Sequence, residues 1–438
     1  MNQPNRRWVR WARILGVGAM LATSATALAG FTPSMNEKPM PAWAMVYGTE
    51  KPEQKPTMLL FGVVQPGYSY IQASPPGATT VVGNGQFKFY RLRPGVRGSI
   101  GPNIDYYFLA EFGNNPANPN SGVVGHAHVL DGSVTLNYIP GVHVEVGQML
   151  VPFGEEGLTA AGVLPWVNYS PATYNIDYNE FASAPLPNAI AGPGNGLFNG
   201  GREMGVMAFN QFVHGPLAVD YALGYFNGTG LSQTESSMNH PDQGFVHGGV
   251  DFGPFGLAGS YEAGRQVIAA GPGAYPGESF HQNKYAIDVR FGNYTKDPFW
   301  LWYEYQHANN GQPSSQGNGA ARGWFAAAGF RPAKKFMGVF RYSTYDTENL
   351  ASVTGGALGP VFAPYYGVPP TPANPTGHAF VTSNVSLDQD SLVGVYLARK
   401  GVRYYVEFDH TTYNHSAAPT DNAVSVMLSV PFGARLLH

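Results

Sequence analysis

Val142-His143-Val144-Glu145-Val146-Gly147-Gln148-Met149-Leu150-Val151-Pro152-Phe153-Gly154 is the stretch from which the fold is read. Val142, Val144 and Val146 fall on one face, His143 and Glu145 on the other. That period of two marks a β-strand with one apolar and one polar side. The strand runs into a segment with no period at all. Residues 154–200 are rich in Gly, Pro, Asn, Ala and Tyr, with Pro165, Pro171, Pro185, Pro187 and Pro193 spaced through them. A patternless loop of this length is out of place in a compact water-soluble domain unless it carries function. Folded into the lumen of a membrane barrel, it would narrow a space that otherwise stands open, and an inward-folded loop is the expectation.

The N-terminal residues read as an export signal. Arg6, Arg7, Arg10 and Arg13 are followed by the short apolar run Ile14–Leu21 and by the small-x-small pattern Ala27-Leu28-Ala29. A membrane anchor needs a longer apolar run. Arg6-Arg7 invites a twin-arginine reading, which conflicts with a barrel that must cross the inner membrane unfolded. The expected division is a signal peptide over 1–29, a Pro-containing periplasmic arm over 30–56 and a barrel over 57–438, in the bacterial outer membrane.

Composition supports this division. The formal net charge is −3, and removing the four Arg of residues 1–29 leaves −7, so nothing suggests a nucleic-acid partner. The chain has no Cys, which excludes disulfides, thiolate metal sites and c-type haem attachment. Beyond the signal, no run approaches the roughly 20 apolar residues of a transmembrane helix. Charged residues make up 12% and aromatics 13%, with 56 Gly. Low charge, abundant aromatics and no long apolar run fit an all-β, closed transmembrane antiparallel barrel, whose strands need only alternate. A soluble all-β protein is the alternative.

About sixteen strands of membrane-spanning length can be marked from Met58 onward. Ile104–Phe112 sets Asp105 and Glu111 apart from Ile104, Tyr106, Phe108, Ala110 and Phe112. Leu130–Tyr138 opposes Val134, Leu136 and Tyr138 to Asp131, Ser133, Thr135 and Asn137. Lys284–Phe291 and Val402–His410 keep Lys284, Asp288 and Arg290, and Arg403, Glu407 and Asp409, on single faces. The charged face needs water and the other needs lipid.

The connections say more than the strands. Short turns fall at Gly101–Asn103, Ile139–Gly141, His214–Pro216, Gly253–Phe255, Asn293–Pro298, Pro332–Lys335 and Lys400–Gly401. Between them lie long loops near 73–85, 114–126, 154–200, 228–243, 265–283, 308–322, 347–387 and 414–422. Short and long alternate without a break, as short periplasmic turns and long external loops do in bacterial barrels. The segment 154–200 is then the third external loop. The last strand is expected over Val424–Phe432, ending on an aromatic, with Gly433–His438 running past it.

Several stretches, taken in order, resemble the phosphate-selective porin O/P family. They are Phe89-Tyr90-Arg91-Leu92-Arg93-Pro94-Gly95-Val96-Arg97-Gly98, Tyr107-Phe108-Leu109-Ala110-Glu111-Phe112, and Val146-Gly147-Gln148 through Pro152-Phe153-Gly154-Glu155-Glu156. Tyr225-Phe226-Asn227-Gly228, Gly323-Trp324-Phe325, Ala328-Gly329-Phe330 and Arg341-Tyr342 are similar to its later strands. The resemblance implies a porin-like, sixteen-stranded homotrimer in outer-membrane lipid, with an inward loop and an Arg-lined pore passing small hydrophilic solutes or anions. Where the family is Arg-rich, this chain has Leu92-Arg93-Pro94-Gly95. The resemblance therefore implies a channel, with an anion or phosphate preference as a further possibility.

Candidate pore residues follow from the polar faces. Arg91 and Arg93 share a face, and rows of Arg attract and sort ions; as plain lumen charges they would balance Asp105, Glu111 and Asp131. Arg290 and Arg403 sit on equivalent faces of later strands. Phe87 and Phe89 fall on the same face as Arg91 by counting, so a bulge near Pro94-Gly95 is expected to reset the phase. Glu155 and Glu156 open the long loop as acidic counterparts to Arg across the pore.

Other motifs carry less. His126 and His128 have a metal-type spacing with no third ligand in view, and no metal or cofactor is expected. Gly192–Gly196 and Asn199–Gly201 follow no strand leading into a helix, so they are not a phosphate-binding loop. His410, Asn414, His415 and Ser416 leave open an outer-membrane barrel enzyme acting on lipid, though no Gly-x-Ser-x-Gly elbow is present. The loop alternation makes a direct prediction: cysteines introduced at Asn120, Ser236 or Gly367 label from outside intact cells, while those at Pro140 or Gly401 do not. The reverse pattern would contradict the topology.

Overall fold

The computed structural model describes residues 56–73, 82–113, 128–177, 201–228, 242–267, 279–309, 320–348, 386–413 and 420–437. Most of the expected signal peptide and arm, residues 1–55, lies outside them. The strands are β1 (Met58–Ala73), β2 (Val82–Gly101), β3 (Ile104–Glu111), β4 (His128–Ile139), β5 (Val142–Leu150) and β6 (Arg202–His214). They continue as β7 (Leu217–Phe226), β8 (Asp242–Phe252), β9 (Phe255–Val267), β10 (Ser279–Phe291) and β11 (Phe299–Asn309). The last are β12 (Ala320–Ala333), β13 (Phe336–Glu348), β14 (Ser386–Leu397), β15 (Arg403–Tyr413) and β16 (Thr420–Leu437). Each pairs with its sequence neighbours, and β1 pairs antiparallel with β16 to close the barrel. Closure matters because lipid offers no partner to a free N–H or C=O.

Connections alternate as the sequence implies. Seven short ones, such as 102–103, 140–141 and 334–335, lie at one rim, and both described chain ends share that rim. The other rim holds the longer connections, of which 151–201 is the third.

Burial runs opposite to that of a soluble protein. On β4, Asp131, Ser133 and Thr135 are at most 7% exposed, while Val134 and Tyr138 are 39% and 61% exposed. On β15, Tyr404, Val406 and Phe408 face outward, and Tyr405, Glu407 and Asp409 are buried. Alternation therefore sorts polar side chains to an inner surface and apolar ones to lipid, as a membrane barrel requires.

Three local departures have physical causes. The bulge in β2 sits at Tyr90, not at Pro94-Gly95. Gln65 pairs with Arg91 and Pro66 with Phe89, so Tyr90 is the extra residue. Pro66 has no N–H to give the ladder, which is where a bulge costs least. The result turns Phe87 and Phe89 outward, 86% and 45% exposed, and buries Tyr90 beside Arg91. Second, β16 does not stop at Phe432; it continues to Leu437 because β1 starts early enough to pair Met58 with Leu437 and Leu59 with Arg435. Third, β15 begins at Arg403, since Val402 closes the preceding turn by donating to Arg399 O.

Candidate channel constriction

Strand β5 changes character at Gly147, whose φ of 135° is open to glycine and whose Cβ would lie 2.3 Å from Gly132 O. After it, Gln148 and Met149 are both buried, and past Leu150, the last residue paired to β6, the chain leaves the wall. Gly154, at φ 68°, turns it into the short helix α1 (Glu155–Leu158). A side chain there would meet Glu304 and Gln306 of β11 at 2.8 Å. The segment ends its described course in a π-helical turn, Thr173–Asp177. Residues 178–200 of the expected loop lie outside the described residues.

Between 152 and 173 the backbone has no regular ladder, and inner-face side chains supply its partners. Gln65 on β1 donates to Ala161 O at 2.9 Å, Arg403 on β15 to Val163 O at 2.8 Å, and Tyr405 to Leu164 O at 2.9 Å. Glu304 accepts from Glu156 N at 2.8 Å, and Glu407 accepts from Val167 N. The strands touched lie along the arc that runs from β11 through β16 to β1, so the segment is tied to several strands of that side at once. Two of its large apolar side chains are sealed: Leu164 and Trp166 are 0% exposed. The Trp166 ring lies 5.4 Å from Trp302 and 5.5 Å from Phe325, the latter edge-on.

At the centre is Arg341 of β13, fully buried. Its Nη1 lies 3.3 Å from Glu156 and donates to Asn168 O at 2.8 Å, and its Nη2 is 3.7 Å from Glu407. The guanidinium also stacks over Trp166 at 4.8 Å from the ring centre. Glu156 further accepts from Trp166 Nε1 at 2.6 Å and from Ser170 Oγ at 2.5 Å. In the loop, burial pushes the Asp177 carboxyl well above its usual range, Glu262 and Glu156 add to that, and Lys284 opposes it.

The residues singled out from sequence fall in separate places. Glu155 meets Arg290 at 3.4 Å, and Arg290 also reaches Asp288 at 2.8 Å and Asp251 at 3.6 Å. Arg93 is paired to Glu111 at 2.5 Å. Arg91 donates to Gln65 at 3.0 Å and packs over Tyr169 at 5.0 Å, away from Arg93's partner. Asp105 stands apart near the short-turn rim, accepting from Ser99 and Asn137, both at 2.7 Å. His410 is 2.8 Å from Asn422, while Asn414, His415, Ser416 and His126 lie outside the described residues. Among the described residues no group of three or more His, Asp or Glu is placed to hold a metal.

Arg341, Glu304 and Trp166 carry the anchoring and were not picked out for it. Arg341 and Glu304 lie on alternating inner faces, as many charges do, and only contact with the loop distinguishes them. Beside the loop a cavity of about 300 Å³ remains, lined by Arg93, Arg97, Arg202, Asp131 and Glu145 together with residues 157–162. Arg202 is held to Asp131 at 3.0 Å.

The family model described as phosphate-selective porin O and P matches residues 64–185, from β1 to within the long loop. The fold is that of a bacterial outer-membrane porin. The first three stretches of the resemblance fall inside the match; the later ones do not. The chain is similar to the anion-selective porin from Comamonas acidovorans, at a TM-score of 0.55 and 14% identity over 86% of this chain and 100% of that one. It is also similar to the outer membrane channel DcaP of Acinetobacter baumannii, at 0.52 and 11% over 88% and 100%. At such identities the likeness is one of fold. Among curated proteins a sequence search finds no match.

Arg341→Met removes a charge that two buried carboxylates face, a change worth about 3–5 kcal/mol. The expected outcome is a barrel that still folds, with a lower temperature for loss of its unheated gel mobility. It should also show new protease cleavage between residues 155 and 177. Unchanged protease resistance would contradict the anchoring.

Proposed function

We propose that this porin is a passive diffusion channel for small hydrophilic solutes, with the described part of its third long loop, residues 154–177, as its constriction and a modest preference for anions. The observation that supports it most is the tethering of residues 152–173 to inner-face side chains on several strands. A segment so held can only reduce the cross-section available to solute. The barrel side of β11, β13 and β15 is closed by the Trp166 and Arg341 contacts, so we place the passage against β1–β6. There, Arg93, Arg97 and Arg202 face Asp131 and Glu145. Among the cavity's own lining Arg is the larger share, which favours anions, and Glu111 behind Arg93 and Asp131 beside Arg202 offset much of that charge and keep the preference modest. The phosphate named in the family description is one anion among several this passage would take.

We further read the chain as a channel and not an enzyme, and as a homotrimer. The trimer rests on the family resemblance, while the barrel itself would close as a single chain. Planar-bilayer recording tests the function. In a salt gradient the purified protein should conduct, with a reversal potential on the anion side. Arg97→Gln together with Arg202→Gln should move it toward cations while changing conductance less than twofold. A cation-side potential in the unaltered protein would reject the anion preference, and absence of conductance would reject the channel.

A further inference from the structure

Asp220 on β7, His247 on β8 and Ser260 on β9 stand side by side on the inner face, 1%, 2% and 7% exposed. His247 Nε2 is 3.0 Å from Asp220 Oδ2, and its Nδ1 is 2.9 Å from Ser260 Oγ. Ser260 Oγ donates to the carbonyl oxygen of Pro152 at 3.0 Å, just where β5 has given way to the loop. Acid, imidazole and hydroxyl in this order are the parts of a nucleophile relay. Here the hydroxyl is directed at the chain's own backbone, so the relay ends on the loop and not on a substrate.

We propose that Asp220, His247 and Ser260 form a proton-dependent anchor that positions the base of the loop at Pro152, with His247 as the group that switches it. The proposal rests on the reading of the loop as the constriction. Counting hydrogens gives the mechanism. A serine hydroxyl has one hydrogen. When Ser260 gives it to Pro152 O, His247 Nδ1 must donate to Ser260 Oγ, while Nε2 donates to the Asp220 carboxylate. Only the imidazolium carries hydrogens on both nitrogens. A neutral ring that keeps its hydrogen toward Asp220 presents a bare Nδ1 to Ser260. The hydroxyl then turns to Nδ1, and the Pro152 carbonyl loses its donor.

The surrounding charges are held by one another. On His247's own strand, Asp251 lies 3.6 Å from Arg290 of β10, which also holds Glu155 of the loop. On β9, Glu262 pairs with Lys284 of β10 at 3.1 Å. Asp177 is the further loop acid on this side, near Lys284 and Glu262. On β7 the acid in contact is Asp220 itself. The sign follows from the count. The anchor is complete where both ring nitrogens carry hydrogen and is lost when the ring gives one up, so it is favoured toward acid and lost toward alkali. Such a device would loosen the loop in mild alkali and hold it in mild acid.

Single-channel current in planar bilayers, recorded from about pH 5 to pH 8, tests the anchor through open-channel fluctuation. The unaltered protein should be quiet at the acid end and fluctuate at least twofold more at the alkaline end. Ser260→Ala and His247→Gln should fluctuate at all pH values without a profile, while Ser260→Thr, which keeps the hydroxyl, should restore it. A flat profile in the unaltered protein, a profile of opposite sign, or one that survives in His247→Gln overturns the proposal. Gel mobility before and after boiling reports folding. Should His247→Gln not fold, Ser260→Ala, which leaves the His247–Asp220 contact in place, carries the test alone. Arg341→Met separates the two levels. If its current matches the unaltered protein, the constriction reading fails and the anchor with it. If it differs while the Ser260 and His247 variants behave as the unaltered protein, the anchor alone fails.

Discussion

A backbone in lipid has no water to complete its hydrogen bonds, and the pairing of β1 with β16 is where this chain meets that demand. Met58 opposite Leu437 and Gln72 opposite Asn422 mark the reach of the seam. With no edge left open, each strand is free to place polar residues on one side and apolar residues on the other. The inversion of burial, the aromatic outer surface and the presence of a lumen all follow from closure. The extension of β16 past Phe432 is part of the same solution, since the early residues of β1 would otherwise be paired only on their β2 side.

Closure solves the wall and leaves the interior to be filled. The segment from Pro152 to Thr173 has neither helix nor ladder over most of its length, yet it is buried, so its N–H and C=O groups need partners from elsewhere. The wall provides them through Gln65, Arg403, Tyr405, Arg341, Glu304 and Glu407. Buried ion pairs add little net stability, because desolvation offsets their attraction, but breaking one is costly. Arg341 between Glu156 and Glu407 is best understood as a device of position: it makes one placement of the loop far better than its alternatives. The neighbouring Trp166 ring adds apolar contact that does not depend on charge.

Much of the fold could be read from the sequence because a barrel strand is a local object. The alternation in Leu130–Tyr138 or Val402–His410 follows from side-chain periodicity alone, and the seven short turns are marked by Gly and Pro. The bulge was legible only as a need, from Phe87 and Phe89 sharing a count with Arg91. Its place at Tyr90 depended on Pro66 across the pair, which no single strand reveals. The site was less legible still. Glu155 and Glu156 stand out because they open a loop, whereas Arg341, Glu304 and the Asp220–His247–Ser260 row are separated from it by up to 185 residues and acquire meaning only through contact. Periodicity places such residues inside the barrel and says nothing about which of them the loop will touch.

The central claim is that the loop, and not the wall, sets the narrowest passage. The direct test is conductance of a variant lacking residues 160–196, with folding checked by gel mobility before and after boiling. Loop length itself costs little closure entropy and the segment carries none of the barrel ladder, so a folded barrel is expected. Conductance should rise severalfold and larger neutral sugars should enter. A folded variant with the conductance and size limit of the unaltered protein would contradict the account.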